Sequence, residues 1–134
     1  MPERQTRQRG NVAIQDLPTF DAHDIAATLD GMADHERDLL PFGVVEMDRD
    51  FTVLRYNATE SRYAGLPPER VVGRHFFRDV APCCNNRFVA QRYDLDTLDE
   101  TVPYTFALQM RPVPVTLRMI KRRGSGRMYL LVIW

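Results

Sequence analysis

The sequence predicts an α+β fold, a five-stranded antiparallel sheet with short helices on one face and an N-terminal helical cap. Three observations carry that reading. Five apolar or alternating runs read as strands, two before the middle of the chain and three in its last third. Between the two groups, Gly65, Pro67, Pro68, Gly73 and Pro82 break the chain into pieces that suit only short helices. A chain of 134 residues supplies one core, not two. The expected organisation is a flexible tail at residues 1–18 and a single domain at 19–134, with the cap at 19–40 and the core at 41–134.

Each element has its own signal. The tail carries Arg4, Arg7 and Arg9 without an apolar anchor. Residues 21–40 place Ile25, Leu29 and Met32 on one helical stripe. Thr19 or Asp21 is the candidate cap, Gly31 a point where the helix divides in two, and Pro41 a stop. Residues 42–47 and 51–56 form a hairpin across the polar turn Asp48-Arg49-Asp50. Asn57 caps a short helix at 58–63, and single turns follow at 69–72 and 76–80. Residues 85–93 read as a helix, and the acids Asp94, Asp96, Asp99 and Glu100 as a loop or helix end. Strands are expected at 102–110, 113–119 and 128–134. Val115, Leu117 and Met119 alternate with Thr116, Arg118 and Ile120. Pro112 and Pro114 require an edge or a bulge.

Composition narrows the function classes. Lys plus Arg and Asp plus Glu each number 18, which argues against a strongly basic nucleic-acid binder. The longest apolar run, at 129–134, is far below the roughly 20 residues of a membrane span. The polar N-terminus does not read as a secretory signal. His23, His35 and His75 lack metal-ligand spacing, and there is no Gly-rich phosphate loop. Two adjacent cysteines, Cys83 and Cys84, are the whole thiol inventory. Neighbours in sequence seldom make a useful disulfide, so a reducing cytoplasmic setting is expected. No metal, membrane or nucleic-acid partner is expected.

The informative stretch runs from Tyr56 to Cys84. Tyr56 and Glu60 are four residues apart, a spacing that suits one face of a turn after a strand. A buried glutamic acid beside a tyrosine would share hydrogen bonds and keep its proton, and the pair could bind a phenolate or carboxylate. Cys83 opens a segment after Pro82, where free amides favour the thiolate, and could hold a thioester. The plain alternative is a core aromatic, a surface acid and a small hydrophobe.

The motifs resemble the photoactive yellow protein family, blue-light receptors of the PAS superfamily. The matching segments are LPFGVV at 40–45, YNATE at 56–60, VVGRHFFRDVAPC at 71–83 and YTF at 104–106, with Gln109-Met110. The resemblance implies a PAS-like fold. It also implies 4-hydroxycinnamic acid (p-coumaric acid) as a thioester on Cys83, with Cys84 as runner-up. It implies that Tyr56 binds the phenolate and that Glu60 is a buried protonated acid. Phe76, Phe106 and Met110 are candidate pocket walls, and Arg87 a candidate phenolate or carboxylate partner. Ala64 and Leu66 depart from the family, which often has a threonine and an arginine there.

The leading expectation is a light receptor that is not an enzyme and that signals to a protein partner through the cap face. A homodimer through the first helix is compatible with it and with the alternative. The alternative is a light-insensitive PAS-type ligand-binding or protein-interaction domain. An acyl-transfer enzyme working through Cys83 ranks last, because no histidine is adjacent in sequence to act as base.

Overall fold

A computed structural model describes residues 16–108 and 111–134. The elements are α1 (Ile25–Asp30), α2 (Asp34–Arg37), β1 (Gly43–Met47), β2 (Val53–Tyr56), α3 (Ala58–Ala64), β3 (Leu98–Leu108), β4 (Arg111–Lys121) and β5 (Met128–Ile133). Short 3-10 turns at Pro68–Arg70, Pro82–Cys84 and Ala90–Asp94, and one π turn at Phe76–Val80, fill the stretch between α3 and β3. The sheet is five-stranded and antiparallel in the order β2-β1-β5-β4-β3. This is the PAS-like α+β architecture.

The central strand explains the layering. Along β5, Met128, Leu130 and Val132 join one apolar cluster, while Tyr129 and Leu131 join another. A strand covered on both faces reads as a continuous apolar run. The first cluster lies under the short helices and holds Val115, Leu117 and Met119 of β4. The second lies under α1 and α2 and holds Ile25, Leu29, Met32 and Leu40. The cap and the short helices therefore sit on opposite faces of the sheet.

The cap is fixed by charge as well as by burial. Arg37, 2% exposed, donates through Nη2 to Glu46 Oε1 at 2.8 Å, Tyr129 Oη at 2.9 Å and the Leu29 carbonyl at 2.5 Å. Arg55 Nε reaches the same Glu46 oxygen at 3.0 Å, and its Nη1 reaches the Met32 carbonyl at 3.0 Å. The Tyr129 hydroxyl donates to Asp30 Oδ1 at 2.7 Å. Buried charges persist only when paired in this way.

Several expectations are corrected in detail. The stretch expected to be helical at 21–40 divides at Gly31 as the sequence suggests, but its helices cover only Ile25–Asp30 and Asp34–Arg37. Neither Thr19 nor Asp21 caps α1. Asp24 occupies that position in the left-handed region (φ 55°) without a side-chain cap bond, and the Thr19 hydroxyl instead donates to Asp21. Strand β3 begins at Leu98, so Asp99 and Glu100 belong to it. Asp99 pairs with Arg118 of β4, and Glu100 with Arg92. Of the helix expected at 85–93 only the last four residues are helical, within the 3-10 turn Ala90–Asp94. Asn86 Oδ1 takes the amides of Phe88 and Val89, which diverts the backbone from helical bonding. Pro112 and Pro114 pair with β3 in the part of β4 that extends past the end of β5. Among the described residues one side of β4 has no neighbouring strand there, which meets the edge requirement of proline. Residues 1–15 of the expected tail lie outside the described residues.

Candidate functional site

Tyr56 ends β2, and the next residue turns the chain into α3. Asn57 Oδ1 accepts the Glu60 amide at 3.1 Å and the Val44 amide at 2.9 Å. Its Nδ2 donates to the carbonyls of Arg37 and Phe42, both at 3.0 Å. One capping side chain thus starts α3, holds β1 and reaches α2. The cap fixes the first turn of α3, so Glu60 points into the protein and is 4% exposed.

The Glu60 carboxyl has room because residue 43 is glycine. A Cβ at Gly43 would lie 1.8 Å from Glu60 Oε1, so the acid occupies the space that any other side chain would take. Trp134, just beyond β5, donates Nε1–H to the same oxygen at 2.8 Å. Its ring stacks on Tyr63 (centroids 5.7 Å apart) and meets the edge of Phe106 (5.1 Å).

These side chains bound a cavity of 170 Å³. Tyr56, Glu60, Phe76, Cys83, Phe106 and Trp134 line it, with Ala64, Leu66, Val80, Ala81, Pro82, Ala107 and Leu108 completing an apolar wall. An apolar cavity of roughly 150 Å³ accepts a benzene ring, so this one suits a single aromatic ring with a short chain.

Burial sets the protonation states. It raises the Glu60 carboxyl to about 7, against the opposing Trp134 hydrogen bond. Burial, and then the Glu60 charge, push the Tyr56 phenol above its ordinary range, so at neutral pH Tyr56 is a neutral donor. The Cys83 thiol is lowered to about 6, first by a hydrogen bond from Cys84 and then by the backbone amides of Ala107 and Cys83, with burial opposing. The same contact, with burial, raises Cys84. The two sulfurs are 3.9 Å apart. Tyr104 Oη and Asn86 Nδ2 donate to the Cys83 carbonyl at 2.6 and 3.1 Å, which fixes the backbone beneath the thiol. A low thiol pKa in a cavity wall marks a nucleophile.

Glu60 makes stability depend on pH with a definite sign. Its carboxyl is raised in the folded state, so the native protein holds the proton more tightly than the unfolded chain. Its contribution is complete below the unfolded value of 4.5 and is lost as pH rises through about 7. The loss is on the order of 3 kcal/mol. Chemical denaturation at pH 5 and pH 8 should show this fall in the unloaded protein relative to Glu60→Gln. Parallel stability profiles for the two proteins would contradict it.

Five expected residues meet at the cavity: Tyr56, Glu60, Phe76, Cys83 and Phe106. Arg87 does not. It is exposed, and its guanidinium lies 5.0 Å over the Phe88 ring. Cys84 is fully buried in the core behind the cavity wall. Met110 lies outside the described residues. Ala64 and Leu66 both reach the wall. The expected hydrogen-bond partner of Glu60 was Tyr56, whereas the bond formed is to Trp134. Trp134 carried no site signal in the sequence, and Tyr104 stood in a matching segment without an assigned role.

Residues 38–131 match the family model of the PAS fold. The photoactive yellow protein of Rhodothalassium salexigens is 34% identical over 121 residues, covering 85% of this chain and 94% of that protein. The chain belongs to the photoactive yellow protein family. A second photoactive yellow protein, from Halochromatium salexigens, is 36% identical over 109 residues, covering 76% of this chain and 85% of that protein. Among solved structures, the photoactive yellow protein domain of the sensor histidine kinase Ppr from Rhodospirillum centenum superposes with a TM-score of 0.75. It is 40% identical and covers 81% of this chain and 98% of that one. The PAS domain of BvgS from Bordetella pertussis (TM-score 0.57, 14% identical, covering 84% of this chain and 85% of that one) shares the fold alone. The photoactive yellow proteins are PAS-domain blue-light receptors, and such domains are non-catalytic receptor or regulatory modules. Among the described residues no helix is long and apolar enough to cross a membrane.

Proposed function

We propose that this domain is a blue-light receptor carrying 4-hydroxycinnamic acid as a thioester on Cys83. The observation that carries the reading is one ring-sized cavity that joins a lowered-pKa thiol to a neutral phenol and a buried, protonatable acid. Such a group, once bound, supplies a light-driven isomerisation of its double bond. The chain's residues supply the rest. The Cys83 thiolate is the nucleophile for an activated carboxyl. Tyr56 and Glu60 offer two hydrogen-bond donors to a buried phenolate, spreading its charge without a cation. Glu60 Oε1 is held by Trp134, which orients the carboxyl while it keeps its proton. Release of that proton into the cavity would leave a buried, unpaired carboxylate, a costly state that drives rearrangement.

We read residues 19–134 as one cytoplasmic domain whose output is a contact with a protein. The similarity to a domain of a sensor histidine kinase supports a protein partner, and the cap face is the surface assigned to it. One feature favours a second reading, a light-insensitive ligand-binding domain: Leu66 in the cavity wall makes that edge apolar.

The test mixes purified protein with an activated thioester or anhydride of 4-hydroxycinnamic acid. The expected result is a mass gain of about 146 Da, the acid minus water, with a visible band that bleaches reversibly under blue light. No adduct, or an adduct without a reversible bleach, would favour the second reading.

A further inference from the structure

The family reading uses one thiol and leaves the second unexplained. Cys83 and Cys84 are both free. Their sulfurs lie 3.9 Å apart, and their surroundings differ. Cys83 is half-buried in the cavity wall, where a small solute can reach it. Cys84 is fully buried, with its sulfur in contact with that of Cys83. The backbone holds this arrangement. The Cys84 amide donates to the Ala81 carbonyl at 2.9 Å, and Tyr104 and Asn86 hold the Cys83 carbonyl. An accessible thiol with a second thiol behind it is the arrangement of an oxidisable pair with a resolving cysteine.

We propose that, in the unloaded protein, Cys83 and Cys84 form a peroxide-oxidisable pair whose disulfide withdraws Cys83 from acylation. The last clause rests on the attachment reading above; the oxidation itself does not. The Cys83 thiolate attacks one oxygen of hydrogen peroxide. The O–O bond breaks, hydroxide leaves, and Cys83 becomes a sulfenic acid. The Cys84 thiol then attacks that sulfur, so the S–S bond forms, the S–O bond breaks and water leaves with the Cys84 proton. Two thiols lose two electrons, and one peroxide is reduced to two waters.

Geometry makes the product reversible. The sulfurs must close from 3.9 Å to about 2.05 Å, which takes side-chain rotation together with distortion of the Cys83–Cys84 backbone. Neighbouring Cα atoms are about 3.8 Å apart, below the span of an ordinary disulfide. The eight-membered ring is therefore strained, and strained disulfides are the readily reduced ones. Acylation and oxidation compete for the same sulfur, so a loaded protein resists peroxide.

Trypsin cleavage after Arg78 and Arg87 releases peptide 79–87, which holds both cysteines and no methionine. Unloaded protein treated with hydrogen peroxide should yield this peptide lighter by about 2 Da, and dithiothreitol should restore it. Cys84→Ser protein should instead accumulate a sulfenic acid on Cys83 that dimedone traps. Cys83→Ser protein should lose its remaining thiol about tenfold more slowly than wild type loses its pair, with circular dichroism confirming that both variants fold. Oxidised wild type should refuse activated 4-hydroxycinnamate until reduced. An unchanged peptide, a gain of about 32 Da without closure, or a crosslink between two molecules would overturn the proposal. Closure in a protein whose reduced form also refuses the acyl donor would overturn the attachment reading and leave the oxidisable pair standing.

Discussion

Cys83→Ala protein is expected to gain no acyl group from activated 4-hydroxycinnamate, while Cys84→Ala protein gains one. The contrast follows from where the two sulfurs lie. Cys83 lines the cavity and Cys84 is sealed in the core, so only the first can meet an acyl donor. Protonation points the same way, since the Cys83 thiol sits near 6 and the Cys84 thiol is raised. Removing Cys84 also removes the largest influence lowering Cys83. Cys84→Ala should therefore load roughly tenfold more slowly at pH 7 and recover its rate near pH 9, where an ordinary thiol ionises. Intact-mass time courses at the two pH values read both effects. Loading of Cys83→Ala with none in Cys84→Ala would move the attachment point to Cys84.

Glu46→Ala should cost about 3–5 kcal/mol of unfolding free energy, or roughly 10–20 °C in melting temperature for a domain of this size. Glu46 is 2% exposed and accepts from both Arg37 and Arg55. Arg55 is partly exposed and can turn to water. Arg37 cannot, and it would be left as a buried cation with the Leu29 carbonyl and Tyr129 hydroxyl as its acceptors among the described residues. Urea unfolding of wild type, Glu46→Ala and Glu46→Gln decides the point. Glutamine keeps one acceptor and should lose distinctly less. A cost for Glu46→Ala below about 1 kcal/mol would place the pair among solvated surface bridges.

The parts of the fold that were legible are those in which one residue type repeats with a period. The continuous apolar run of β5 marks a strand covered on both faces, and Val115, Leu117 and Met119 mark the face of β4 under the short helices, although Arg118 and Ile120 on its other face are buried too. The Ile25–Leu29–Met32 stripe marks the cap, and Gly31 its division. The parts that were not legible depend on contacts across the chain. Asp99 and Glu100 read as loop because their charge is visible in the sequence and their partners, Arg118 and Arg92, are not. Residues 85–93 have helical spacing, but the Asn86 side chain takes two of the amides involved. At the site, Tyr56, Glu60 and Cys83 carried a spacing argument and a family resemblance. Trp134 had neither, because its bond to Glu60 spans 74 positions. Arg87 was attractive by its nearness to Cys83 in sequence, yet the Asn85–Val89 turn carries it outward onto Phe88.

The hydrogen bond between Trp134 and Glu60 gives the protein a built-in optical probe. Trp134 is the sole tryptophan in the sequence, so all indole emission originates at the cavity wall. Its Nε1–H rests on the carboxyl whose proton matters most, and its ring faces the space assigned to the ligand. Ionisation of Glu60, filling of the cavity and departure of the acid from Gly43 each change the polarity around one fluorophore. Site chemistry in this domain can accordingly be followed by intrinsic emission, without a label and before any chromophore is attached.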